Sequence, residues 1–153
     1  MVDCEHYTDS IYYQFEQTAK FCRYLGIQVF QKLNLPVTLD EFAALDTILV
    51  NEGICQRDLA KLILKDRPNT GRILNSLEEK GYIERYADTK NNRLVRKIKI
   101  TEQGKQISKD VTIALKKYID KIPKIFSEKD KQDLKDLMKR FKENLEQEVE
   151  MNI

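Results

Sequence analysis

Between Arg67 and Lys99 lie the side chains best suited to recognising another molecule. Arg67, Asn69, Arg72, Asn75 and Ser76 come first, and Lys90, Arg93, Arg96, Lys97 and Lys99 follow. Their chemistry is hydrogen bonding and charge. An arginine fork matches the O6 and N7 of guanine, an asparagine amide can bridge adenine, and a lysine neutralises phosphate. Bond-making chemistry has no comparable support. His6 is the one histidine, and no Gly-x-Ser-x-Gly elbow, phosphate loop or His-Glu-x-x-His pair occurs. Cys4 and His6 together supply too few ligands for a tight metal site. Neither an enzyme, a metal nor a cofactor is expected.

The cysteines are the other reactive groups. Cys55 precedes Gln56 where a helix cap is expected, and a thiol there, beside Arg57, can be activated. Cys22 falls on the apolar side of a first helix, and Cys4 lies near Tyr7, Tyr12 and Tyr13. All three are candidates for redox sensing, against the plainer reading that Cys22 and Cys55 fill space as small apolar groups. Three cysteines without close pairing argue against a secreted disulfide scaffold.

Charge is distributed unevenly. The net charge is +2, yet residues 56–105 hold 13 Lys/Arg against 7 Asp/Glu, leaving the flanks acidic overall. A basic middle between acidic flanks fits a polyanionic partner that touches the middle alone. No apolar run of membrane-spanning length occurs, and the start Met1-Val2-Asp3-Cys4 lacks the pattern of a signal peptide, so a cytoplasmic location without membrane association is expected.

These groups must be positioned by elements the sequence announces. A first helix begins near Thr8-Asp9-Ser10, runs to about Lys32 or Leu33, and is broken by Asn34-Leu35-Pro36. Thr38 or Asp40 caps a second, which Asn51-Glu52-Gly53 ends. The pattern then reads helix Gln56–Leu64, turn, helix Arg67–Lys80 closed by Gly81, strand Tyr82–Ala87, tip Asp88–Asn92, and strand Arg93–Ile100, with Ile54 able to add a short third strand. At about 100° per residue, Ile73, Leu74 and Leu77 set the buried side of the Arg67–Lys80 helix, with Thr70 beside them. The opposite side holds Pro68, Gly71, Arg72, Asn75 and Glu79, flanked by Asn69 and Ser76, while Arg67 lies nearer the core margin. Asp66 is the expected cap and Pro68 fits the first turn. In the return strand Ile98 and Ile100 point one way, Lys97 and Lys99 the other.

Thr101 then caps a long helix with a stripe through Ile107, Val111, Ala114, Leu115, Tyr118 and Ile122, stopped by Pro123. It follows the hairpin without a spacer, so the two should move together. Ser127 and Asp130 form a capping-box pattern before a last helix striped by Leu134, Leu137, Met138, Phe141, Leu145 and Val149. Stripes on the terminal helices need covering, and a second copy of the chain is the simplest cover, giving a homodimer. Aromatics there and nearby, Tyr12, Phe15, Tyr24, Phe30, Phe42 and Tyr118, could line a pocket for a small-molecule effector, against plain packing.

The sequence resembles the MarR family of winged-helix regulators. The carrying residues are Asp58-Leu59-Ala60, Asp66 to Arg72, Leu77-Glu78-Glu79-Lys80-Gly81-Tyr82-Ile83-Glu84-Arg85, Asp88 and Arg93, and Ile100-Thr101-Glu102-Gln103-Gly104-Lys105, with coverage over about residues 38–150. The resemblance implies a mainly α fold with a small β wing: a winged helix-turn-helix with long N- and C-terminal dimerisation helices. The divisions are 1–37 for N-terminal dimerisation, 38–103 for DNA binding and 104–153 for C-terminal dimerisation. It also implies a repressor that binds a pseudo-palindromic promoter site in double-stranded DNA and is released by a small ligand or thiol oxidation. Arg93 stands where the family has its wing arginine, but Asn91 occupies the place of the aspartate that braces it. Pro68, Asn69 and Gly71 replace common Ser and Thr residues, so a different operator is expected. The rival reading is a protein-interaction or small-molecule-binding module that kept the winged shape without reading DNA.

Overall fold

The computed structural model describes residues 5–150 as six α-helices and one β-hairpin, after a single 3-10 turn over Tyr7–Asp9. Each longer helix starts at a side chain that satisfies an otherwise orphaned amide. Helix α1 (Ile11–Lys32) opens with Ser10 accepting from the Tyr13 amide. Asn34, in the left-handed region at φ 49°, turns the chain after it. Helix α2 (Leu39–Val50) has a full capping box: Thr38 accepts from the Glu41 amide, and the Glu41 carboxylate accepts from the Thr38 amide.

Helix α3 (Gln56–Leu62) is two residues shorter than its apolar run predicts. Leu64 adopts φ 54°, and the Lys65 amide reaches back to the Ala60 carbonyl, which closes the helix early. Helix α4 (Arg67–Glu79) is capped by Asp66, with Pro68 in its first turn, and stops at Lys80 and Gly81, whose φ of +78° suits glycine. Helix α5 (Glu102–Ile119) is capped by Thr101, and its hydroxyl also donates to the Gly81 carbonyl at 2.7 Å. It ends before Pro123 is reached. Helix α6 (Glu128–Glu146) carries the Ser127–Asp130 capping box.

Strands β1 (Ile83–Lys90) and β2 (Arg93–Ile100) pair antiparallel from Ile83↔Ile100 to Lys90↔Arg93. The five-residue tip expected over Asp88–Asn92 is therefore only Asn91 and Asn92. Both take left-handed backbone, φ 52° and 59°, the conformation a tight two-residue hairpin demands and asparagine tolerates. Ile54 joins the sheet edge as expected, its carbonyl accepting from the Ile98 amide at 3.0 Å, with Cys55 bridged to Lys97.

One core holds the middle of the chain together. Leu45 and Ile48 of α2, Leu59 of α3, Leu74 and Leu77 of α4, Ile83 and Ile98 of the hairpin and Val111 of α5 are almost wholly shielded. Each such side chain contributes about 1.5–3 kcal/mol by leaving water. Gly104 lets α5 press against the hairpin's entry. A β-carbon there would lie 2.1 Å from the Tyr82 carbonyl oxygen and 2.9 Å from Ile100. Val29 and Phe30 at the end of α1 are buried, and Phe30 meets Phe42 of α2 at 5.9 Å between ring centres. The mainly α fold with a two-stranded wing is thus as the sequence led one to expect.

Candidate nucleic-acid interface

On α4, Thr70, Leu74 and Leu77 are inside as the helical spacing predicts while Ile73 is only half-buried, and Pro68, Arg72, Asn75 and Glu79 are exposed as predicted, together with Arg67, which was expected nearer the core margin. Hydrogen bonds then divide the polar residues. Asn69 is spent within the helix start: its Nδ2 donates to Asp66 at 2.8 Å and its Oδ1 accepts from the Arg72 guanidinium at 2.6 Å. Arg72 is thereby steadied on the outer face by a neutral partner and keeps its charge uncancelled.

Asn75 accepts at Oδ1 from Arg85 of β1 at 2.7 Å. Ser76 is half-buried and turned the other way, its hydroxyl donating to Glu41 at 2.5 Å. That is a structural task, because Glu41 is only 6% exposed and needs partners for its charge. Lys80 supplies a second at 2.7 Å, and the Thr38 amide a third. Burial pushes the Glu41 pKa up, but Lys80, Ser76 and the Thr38 amide outweigh it and leave the carboxyl below its ordinary value.

The wing cations also separate into two sets. Lys90 pairs with Asp58 of α3, and Lys97 with Asp88 at 2.9 Å. In each pair the hydrogen bond to lysine is the main reason the carboxyl is lowered, and each lysine is raised in return. Arg93, Arg96 and Lys99 are exposed, and among the described residues none of the three has an ion-pair partner within 4 Å. Asn91, which stands where a bracing aspartate was expected, serves the turn instead.

An open cavity of about 710 Å³ lies between the starts of α3 and α4 and the wing. Arg57, Lys61, Arg67, Lys90, Arg93 and Arg96 converge on it, so one strongly positive concavity is assembled from both arms of the helix-turn-helix and the hairpin. Thr70 and Gln56 also line it, and the Thr70 hydroxyl and Gln56 Oε1 are buried with no hydrogen-bond partner among the described residues.

The candidate sensing residues are more scattered. Cys55 is 6% exposed, and its thiol donates to Asp58, while Cys22 is exposed on α1. Cys4 lies outside the described residues. The aromatic set is not gathered into one pocket within the chain. Tyr12 and Phe15 meet Phe141 of α6, Phe15 stacking on it at 4.6 Å, whereas Phe42 meets Phe30, Tyr118 faces Lys32, and Tyr24 is exposed.

Sequence reasoning gave Glu41 no role and Arg85 only a place in a motif. The Thr38-x-x-Glu41 spacing signals the cap, but nothing local announces that Ser76 and Lys80 converge on the same carboxylate. Arg85 holds both Glu78 oxygens, at 2.9 and 3.2 Å, as well as Asn75, and this fork across α4 and β1 is a tertiary feature.

A polar, partly basic helix face beside a cationic β-ribbon, on a core of α2, α3, α4 and the hairpin, defines a winged helix-turn-helix DNA-binding transcriptional regulator. The family model described as MarR family matches residues 37–95. That match spans the second helix, the helix-turn-helix and most of the wing, and over this segment the chain is similar to that family. It is 27% identical over 117 residues to the uncharacterized HTH-type transcriptional regulator YybA of Bacillus subtilis, covering 76% of this chain and 77% of that one. Among solved structures it is similar to the transcriptional regulator SlyA, at 25% identity and TM-score 0.72, covering 90% of this chain and 95% of SlyA. It also shares its fold with Staphylococcus aureus MepR in a MepR–DNA complex, at 20% identity and TM-score 0.69, covering 92% and 99% of the two chains. No helix among the described residues is long and apolar enough to cross a membrane.

Proposed function

We propose that the protein is a homodimeric repressor that occupies a pseudo-palindromic promoter site, with α4 of each copy in a major groove and the wing on the adjoining minor groove. Residues 38–103 read the DNA, and residues 1–37 and 104–153 assemble the dimer. The observation that carries this reading is the convergence of Arg57, Lys61, Arg67, Arg93 and Arg96 on one concavity beside the outer face of α4. Arg72 is the base reader, because it is exposed and steadied without losing its charge. Arg93 and Arg96 suit the strongly negative minor groove, and Lys99 suits phosphate. Lys90 and Lys97 contribute charge through pairs that must be shared with the DNA.

Assembly rests on the terminal helices. Phe21, Tyr24 and Leu25 of α1, Ile113 and Ile119 of α5, and Leu134, Leu137 and Met138 of α6 are exposed in the single chain, an extent of apolar surface that a second copy covers. With two-fold symmetry the half-site centres fall about 10 bp apart. Release by oxidation is assigned to Cys22 ahead of Cys55, since the first is exposed and the second buried.

The test is a titration of the purified protein on its own upstream DNA and on random duplex, at low and moderate salt. A retarded complex that persists at moderate salt on the upstream fragment alone is expected. Equal binding to both fragments, or to neither, overturns sequence-specific regulation. Oxidant should release the wild-type complex but not that of Cys22→Ser.

A further inference from the structure

The two asparagines of α4 are held in opposite ways, and this sets what each can say to a base. Asn69 has both ends of its amide engaged inside the protein, by Asp66 and Arg72. Asn75 is exposed and has one end engaged, and the partner decides which end. A guanidinium has donors only, so the group facing Arg85 must be the amide oxygen, at 2.7 Å. Turning the amide over would set two N–H donors against each other. Arg85 cannot easily swing away, because its side chain is 9% exposed and its Nε and Nη2 are fixed on the two oxygens of Glu78.

Bridging adenine requires an amide to offer its oxygen to N6 and its nitrogen to N7 along one edge. The Asn75 oxygen already accepts from Arg85 of β1, which pins the amide and works against that two-point approach to adenine, whereas no hydrogen bond to the protein engages its exposed nitrogen among the described residues. We infer that Arg85 is a specificity-setting positioning residue. It fixes Asn75 as a donor, so that Asn75 selects a major-groove edge rich in acceptors, guanine N7 and O6 or thymine O4, and not adenine. The inference rests on α4 being the reading helix.

The experiment is selection of bound sites from a randomised duplex library by full-length wild type, Asn75→Ala, Arg85→Met and Arg85→Lys. The base pair read by Asn75 is the one whose preference disappears in Asn75→Ala. Wild type should favour guanine or thymine there by roughly fivefold. In Arg85→Met the freed amide should shift the preference at that same base pair toward adenine. Should Arg85→Met fail to fold, Arg85→Lys keeps a cation for Glu78 but lacks the fork, and should shift the preference in the same direction. A purely structural Arg85 would weaken all sites alike and leave the profile unchanged, which would overturn the proposal. A wild-type preference for adenine at the Asn75-dependent pair would overturn it too while leaving DNA reading intact. Absence of any sequence preference in wild type would overturn both.

Discussion

Helix α4 buries Thr70, Leu74 and Leu77 within its own chain, whereas α6, with an equally regular apolar stripe, buries none of its residues there. Both helices are capped by a side chain from the preceding loop, and both alternate polar and apolar faces at helical period. The difference lies in what surrounds them. Around α4, four other elements supply Leu45, Leu59, Ile83 and Ile98 to one core. Around α6, α1 supplies little beyond Phe15 and Tyr12 against Phe141. An amphipathic pattern therefore states that a face needs covering, and the fold decides whether the cover comes from within the chain. The winged region closes its core with help only from the end of α1 and from α5, through Phe30 and Val111, whereas α6 finds little cover, which is what supports the proposal of a second copy.

Substitutions can separate the two regions. The largest effect should come from Leu137→Asp, which puts a charge on the exposed α6 stripe. Sedimentation should report a monomer, and operator affinity should fall about a hundredfold or more as the two half-sites cease to be bound together. Because Leu137 is 57% exposed, the fold of the winged region should survive. A dimer that persists in this variant would break the comparison. Arg72→Ala works on the other region. Discrimination at one base pair should drop by roughly tenfold, with the oligomeric state unchanged.

Acid should act through the winged region as well. The Glu41 carboxyl has its pKa lowered in the folded chain from an ordinary value of 4.5. It therefore stabilises the fold above about pH 4.5, and that contribution is lost as pH falls through the lowered value. Glu41→Gln should be less stable at neutral pH, by about 1–3 kcal/mol of unfolding free energy, and lose less stability than wild type between neutrality and strong acid. An acid slope identical to wild type would remove this carboxylate from the account. Smallest of all, Lys97→Ala should weaken specific and random duplex alike and reduce the salt slope by about 0.9, since one phosphate contact is removed.

Much of this is legible in the sequence itself. Ser10, Thr38, Asp66, Thr101 and Ser127 are all legible caps, because a cap is a local bargain between a side chain and amides two or three residues on. The buried side of α4 followed from spacing alone. What escaped was whatever depends on residues distant in sequence. Ser76 reads as an outward flank until Glu41 is placed beside it, and Asn75 reads as a free amide until Arg85 takes its oxygen. The early stop of α3 escaped for a different reason. Leu64 has no sequence signal for a left-handed backbone, a conformation the surroundings impose.

The absence of a side chain at Gly104 leaves α5 seated directly on the hairpin's own backbone at Tyr82. Such a joint has no slack to absorb a rotation. With the terminal helices assembling the dimer and the wing on DNA as proposed, a rotation of the far end of α5 would be passed to the ribbon as displacement, as in a lever pivoting on a weld, rather than taken up at this joint.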